Sequence, residues 1–193
     1  NNLFAEHING KDLAYGSAVI VSNPDELPHD AAKMMGVKAV SILNDSIRYV
    51  ATQAGAFRFN NRTRKAKLLY LGRSTAISPG PGGSVFIGTI RGLMELTAAG
   101  KLIDWSETGK FKQIRITDLC FRDNMLWIAT AGDGLSVLCK GKVHRVLSSR
   151  NGTSRNHIET IEGSETNQLY IGYPDGAQML SYTCSGKGPI IRE

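Results

Sequence analysis

The sequence predicts an all-β fold, a β-propeller or a segment of one, built from about four four-stranded antiparallel blades with one short helix near the N-terminus. Three observations carry that prediction. Tyr49, Phe86, Trp127 and Tyr170 each open the same phrase of an aromatic, a β-branched, a small residue and then Thr or Tyr, at intervals of 37, 41 and 43 residues. A glycine follows the small residue at a near-constant distance in every copy, at Gly55, Gly92, Gly134 and Gly176. The chain holds 21 glycines in 193 residues and is 41% hydrophobic, a globular composition rich in turns. A period near forty, with an aromatic strand and a glycine turn in each copy, marks a radial β array rather than a domain with one core.

Taken in order, residues 1–37 depart from the repeat. Two strand-like stretches at 11–16 and 17–21 suggest a degenerate blade or an insertion, and residues 28–35, closed by Gly36, read as a two-turn helix with a glycine stop. A competing reading makes residues 18–43 a strand–helix–strand crossover. The expected blades follow at 38–73, 74–115, 116–156 and 157–193, within a single domain spanning 1–193.

The first blade carries the densest basic run, Arg58 to Lys67 with Arg62, Arg64 and Lys65. A strand–turn–strand junction is where solvated charge belongs. The run lacks the interleaved aromatics on which single-stranded nucleic acid would stack, so the net charge of +6 does not imply a nucleic-acid partner. The second blade has expected strands at 75–78, 84–89, 92–97 and 101–105, the first two joined by the stiff Pro79-Gly80-Pro81-Gly82-Gly83 turn. No GxGxxG or GxxxxGK pattern precedes a helix, which removes the phosphate-loop reading.

The third blade is the template, with strands at 116–122, 125–130, 134–139 and 142–147 separated by Asp123-Asn124, Gly132-Asp133 and Lys140-Gly141. Asn, Asp and Gly tolerate the positive φ that two-residue hairpin loops require. Its second strand, Leu126-Trp127-Ile128-Ala129, is apolar on both faces and so must be covered on both. The small residue at Ala51, Gly88, Ala129 and Gly172 then marks the place where adjacent sheets come closest, while the aromatic two positions earlier, on the same face, fills the wider gap. The fourth blade repeats the pattern at 158–162, 168–172, 177–183 and 189–192. The glycines at 55, 92, 134 and 176 are expected to supply positive φ in turns.

The third copy, Ile116-Thr117-Asp118-Leu119 with Asn124-Met125-Leu126-Trp127-Ile128-Ala129-Thr130 and Gly132-Asp133-Gly134-Leu135, resembles the two-component regulator propeller repeat of periplasmic sensor regions in bacterial hybrid histidine kinases. Phe86-Ile87-Gly88-Thr89 with Gly92-Leu93, and Leu169-Tyr170-Ile171-Gly172 with Gly176, look like further copies, so the likeness spans residues 38–193. The resemblance implies a periplasmic or extracellular sensory module that recognises a ligand or partner. Members of that family usually carry more blades than this chain.

Propellers bind on the face where loops between second and third strands and loops between blades emerge. Those loops hold Gln53, Arg91, Asp133 and Asp175, and Arg73, Arg150, Asn151, Arg155 and Asn156. Guanidinium forks at Arg91, Arg73 and Arg150 suit planar oxyanions, so the unidentified ligand or partner could be an acidic oligosaccharide, such as a sulfated or uronic sugar, or a protein. The plainer alternative is that turns favour Asp and surface Arg aids solubility. Two other function classes compete: an assembly propeller that pairs with protein or forms an oligomer, and a metal-dependent hydrolase or lyase in which Asp118, Asp133 and Asp175 share a hard cation. The four histidines recur at no equivalent position and form no His-x-x-x-His pair, so neither an enzyme nor a metal or other cofactor is expected.

Cys120, Cys139 and Cys184 show no zinc spacing; a secreted chain would tolerate a Cys139–Cys184 bridge, and a cytosolic one would keep all three reduced. No stretch reaches the roughly 18 apolar residues of a membrane helix, so any contact with a bilayer would come through flanking segments. The chain begins at Asn1 rather than Met, which predicts an excised or processed piece of a longer product.

Overall fold

A computed structural model of the chain describes residues 27–28, 36–108, 111–185 and 188–192. Their contacts divide into two units, residues 1–74 and 75–193. In the first unit, β1 (Leu27–Pro28), β2 (Val37–Ile42), β3 (Ile47–Thr52), β4 (Gly55–Asn60) and β5 (Lys65–Leu71) form one antiparallel sheet in the order β1-β5-β4-β3-β2. The basic run falls where expected, at the β4–β5 hairpin, with Arg62, Arg64, Lys65 and Lys67 exposed. Val50, Phe57, Phe59, Ala66 and Leu68 form this sheet's apolar cluster. Apart from β1, Gly36 and Val37, the N-terminal elements expected over 1–37, including the helix, lie outside the described residues.

Three four-stranded meanders follow. The first comprises β6 (Ser74–Pro79), β7 (Val85–Thr89), β8 (Leu93–Leu96) and β9 (Leu102–Asp104). The second comprises β10 (Ile116–Arg122), β11 (Met125–Thr130), β12 (Leu135–Cys139) and β13 (Lys142–Leu147). The third comprises β14 (Thr160–Gly163), β15 (Gln168–Tyr173), β16 (Gly176–Ser185) and β17 (Gly188–Arg192). The fold is all-β; these three sheets keep their strands in chain order, as propeller blades do, and so do β2 to β5 of the first sheet, where β1 is added at the outer edge beside β5. Two hairpins of the template blade use the expected turn chemistry, with positive φ at both central residues: Asp123 and Asn124, then Lys140 and Gly141.

The two-sided apolarity of β11 is explained by what lies on either side. Trp127 and Ala129 join a cluster with Leu169, Ile171, Leu180 and Tyr182 of the blade after them. Leu126 and Ile128 join one with Ala76, Phe86 and Leu93 of the blade before. The repeated aromatic faces the following blade: Phe86 stacks on Phe121 with ring centroids 6.3 Å apart, and Trp127 meets Tyr182 at 4.8 Å. The small residue sits at the pinch, since a Cβ on Gly88 would come within 2.7 Å of the Ile116 side chain of the next blade. Tyr170 holds the same repeat position but is 48% exposed.

The turn glycines divide. Gly92 and Gly134 have φ of +147° and +78°, as expected, but Gly55 and Gly176 do not adopt positive φ. At Gly55 the constraint is close approach instead, because a Cβ there would lie 2.5 Å from the Tyr70 carbonyl oxygen.

Candidate functional site

The fourth residue of the repeated phrase builds the loop face. A threonine at the end of a second strand projects its hydroxyl into the turn that follows, where it can bond to backbone groups the hairpin leaves over. Thr52 Oγ1 donates to the Gly55 carbonyl at 2.9 Å, and Thr89 Oγ1 to the Gly92 carbonyl at 2.9 Å. Thr130 Oγ1 donates to the Gly134 carbonyl at 2.8 Å. The same oxygens accept backbone N–H groups of Ala54 and Gly55, of Arg91, and of Asp133. Each turn is thereby held rigid, with its side chains at the tip.

In the second unit, the segments between blades run alongside these turns. Gln113 N–H donates to the Arg91 carbonyl at 3.1 Å, and Gly134 N–H to the Asn156 carbonyl at 2.9 Å. Ala131 also bridges His157 in antiparallel fashion. The two loop classes expected to share a face do so at both inter-blade junctions of this unit. In the first unit the same arrangement holds Gly72 N–H on the Ala54 carbonyl at 3.0 Å, beside Arg73.

Gln53 and Arg73 are exposed in the first unit; Arg91, Asp133, Arg150 and Asp175 are exposed in the second. Arg91 stands at the junction between the second and third sheets. Arg150 stands one junction further on, in a loop tied by Ser148 N–H to Asn151 Oδ1 at 2.6 Å and Ser149 N–H to Asn156 Oδ1 at 2.7 Å. Asp175 is engaged by Arg155, whose Nη2 lies 3.0 Å from Oδ2. With both side chains about 60% exposed, that pair contributes little stability but neutralises the corner. Beside Arg91, Ile90 is 39% exposed, an apolar neighbour that the charge-based reading missed.

The last blade departs from the threonine clamp. Tyr173 replaces the threonine, and its hydroxyl donates to Gln178 Oε1 at 2.7 Å while accepting the Ser154 N–H at 3.1 Å. Gln178 in turn donates Nε2 to the Gly152 carbonyl at 3.0 Å. This network anchors the loop before the blade. Its sequence signal was the single Tyr in a column of Thr.

The three aspartates of the cation reading do not converge. Asp118 lies on β10, where its carboxylate accepts Leu119 N–H at 2.8 Å, Ile161 N–H at 2.8 Å and the Thr160 hydroxyl at 2.8 Å, buckling the first strands of two successive blades together. Burial pushes its pKa above the ordinary carboxylate value, against the opposing pull of those three donors. Asp133 and Asp175 belong to separate turns. Among the described residues no three of His, Cys, Asp and Glu gather as metal ligands. Burial also lifts the thiol of half-buried Cys120, which lies at the same seam. The side chain of Cys184 lies outside those described, so the 139–184 pairing does too.

No protein-family model and no curated protein matches the sequence. Solved structures do. The chain is similar to the extracellular domain of a putative one-component system from B. thetaiotaomicron, with a TM-score of 0.62 and 21% identity over 77% of this chain and 22% of that one. It is likewise similar to the extracellular domain of a putative hybrid two-component system from the same organism, with a TM-score of 0.62 and 16% identity over 80% and 25%. A third is PorZ, a bacterial surface component of the type-IX secretion system of Porphyromonas gingivalis, with a TM-score of 0.60 and 20% identity over 75% and 25%. The chain spans about a quarter of the length of each. At these identities the likeness is one of fold. Among the described residues no helix is long and apolar enough to cross a membrane.

Proposed function

We propose that this chain is a non-enzymatic sensory or ligand-binding propeller module, the periplasmic or extracellular part of a bacterial two-component system. The observation that carries the reading is the fold likeness to extracellular domains of such systems, which comes on top of the repeat phrase itself. The loop face adds a physical reason. Threonine-clamped turns present Arg91 from a preorganised backbone, so little ordering entropy is lost when an oxyanion is gripped. Arg150 extends the cationic character of the loops of the second unit, and the Arg155–Asp175 pair leaves that corner neutral. An acidic oligosaccharide is the ligand class that this chemistry favours.

The test is a thermal-shift screen against uronic and sulfated oligosaccharides. A ligand at a hundred times its dissociation constant stabilises by about 2.7 kcal/mol, which in a chain of this size raises Tm by about 5–11 °C. Arg91→Ala, an exposed position, should fold normally and lose the rise. A screen without any shift, or a shift that survives Arg91→Ala, would overturn the assignment of the site. The assembly reading is favoured by one different observation, an uncovered sheet face on the last blade.

A further inference from the structure

The repeat supplies two surfaces at every seam: a second strand that offers its aromatic and small residue, and the first strand of the following blade that receives them. Within the second unit these meet at β7 with β10, where Phe86 meets Phe121 and the Gly88 pinch meets Ile116. Two such surfaces are left exposed. On the last blade, Tyr170 occupies the Phe86 position and Gly172 the Gly88 position, and Met179, cross-strand from Tyr170, is 47% exposed. On the first blade, β2 shows Val37, Val40 and Ile42 at 51%, 55% and 65% exposure.

These three residues are the counterparts of Ile116, Leu119 and Phe121. Both strands carry the same register shift, between Val37 and Ala39 in β2 and between Ile116 and Asp118 in β10, and both pair in the same step with the strand that follows. In β10 Ile116 is fully buried and Leu119 is 6% exposed against the preceding blade, and Phe121 is partly buried there. In β2 the counterparts are bare, although nothing in their chemistry suits water. Isolated exposed apolar residues are ordinary; a set that reproduces one half of an interface already present in the molecule is not.

We infer that the exposed β2 strand docks on the exposed face of the last blade of a second copy of this chain, re-creating the seam of β7 and β10 between molecules. Ile42 then meets Tyr170 as Phe121 meets Phe86, and Val37 seats over Gly172 as Ile116 seats over Gly88. A polar contact repeats as well. The Phe121 N–H donates to Ser78 Oγ of the preceding blade at 3.2 Å, and Glu162, cross-strand from Tyr170, is the acceptor placed to take the Ile42 N–H in the intermolecular seam. Because the two surfaces differ, the contact is head-to-tail and grows into rings or chains rather than closing as an isologous dimer.

Sedimentation velocity of the whole chain from about 1 μM to about 1 mM tests this, a range that spans weak to moderate dissociation constants. Two variants keep it decisive. Tyr170→Asp with Met179→Asp blocks one surface, and Val40→Asp with Ile42→Asp blocks the other; circular dichroism and Tm confirm that each folds. The expected result is an oligomer for the wild type, a monomer for each double variant alone, and a discrete one-to-one dimer when the two variants are mixed. A wild type that stays monomeric at 1 mM, variants that associate like the wild type, or a mixture that stays monomeric would each overturn the inference.

Discussion

Trp127 and Tyr170 occupy the same position of the repeat, yet one is sealed in a seam and the other is half exposed, and truncating each to alanine should separate them sharply. Trp127 is 0% exposed, touches Tyr182 at 4.8 Å and lies in a cluster with Leu169, Ile171 and Leu180. Removing a buried Trp side chain from such a cluster costs about 3–5 kcal/mol, the transfer of its surface plus the cavity left behind. A chain of this size loses about 2–4 °C of Tm per kcal/mol, so Trp127→Ala should melt about 6–20 °C lower than wild type. Tyr170→Ala gives up half-solvated surface and should stay within about 0.5 kcal/mol at a concentration where sedimentation shows the wild type to be monomeric. Urea unfolding followed by circular dichroism gives both values. If Tyr170→Ala costs as much as Trp127→Ala, or Trp127→Ala costs less than about 1 kcal/mol, the assignment of the aromatic to a forward-facing seam is wrong.

Two further substitutions probe the pinch and the buckle. Gly88→Ala places a methyl 2.7 Å from Ile116 Cγ2 and 3.0 Å from Ala76 Cβ, both fully buried, and should cost about 1–3 kcal/mol by overpacking, whereas Gly176→Ala, with open space around it, should be neutral; equal effects in a melting assay would contradict the pinch. Asp118 tests a pH dependence: its folded carboxyl lies above the unfolded value of 3.8, so the folded state holds the proton more tightly than the unfolded chain. Stability contributed by this group is therefore greatest at acid pH and falls as pH rises from the unfolded value through the folded one. Asp118→Asn cannot titrate, so the Tm of wild type minus that of the variant should narrow as pH rises across that window. A difference that widens instead would show that the three hydrogen bonds outweigh burial.

Much of this molecule was readable because each blade is made by local rules. Turn pairs such as Asp123-Asn124 and Lys140-Gly141 specify their own hairpins, so the strands of the template blade could be bounded from sequence almost to the residue. The two-sided apolarity of β11 likewise announced two neighbours before either was seen. Non-local partners were not legible. Asp118 reads from sequence only as a polar residue within a strand, and only the placement of β14 reveals that it accepts the Ile161 N–H. Gly55 and Gly92 read alike, yet one is required by a carbonyl 2.5 Å away and the other by its φ. Most telling is Tyr170: a repeat records which surface each blade offers, and it does not record what that surface meets.

For the candidate site, sequence placed Gln53, Arg91, Asp133 and Asp175 on turns, and in the first three of these Thr52, Thr89 and Thr130 clamp the turn by short-range bonds. It could not foresee that Asp175 is neutralised by Arg155, twenty residues earlier, nor that Tyr173 and Gln178 take over from the threonine in the last blade. Those contacts depend on how the preceding loop folds back, which no local pattern encodes.

The most direct test of the central claim is paramagnetic relaxation by a soluble, non-binding spin probe, read at the aromatic protons of the four repeat positions in dilute protein. The account predicts strong broadening at Tyr170 and protection at Tyr49, Phe86 and Trp127, which are 5%, 5% and 0% exposed. Broadening of Trp127 or Phe86 to the same extent as Tyr170 would contradict it.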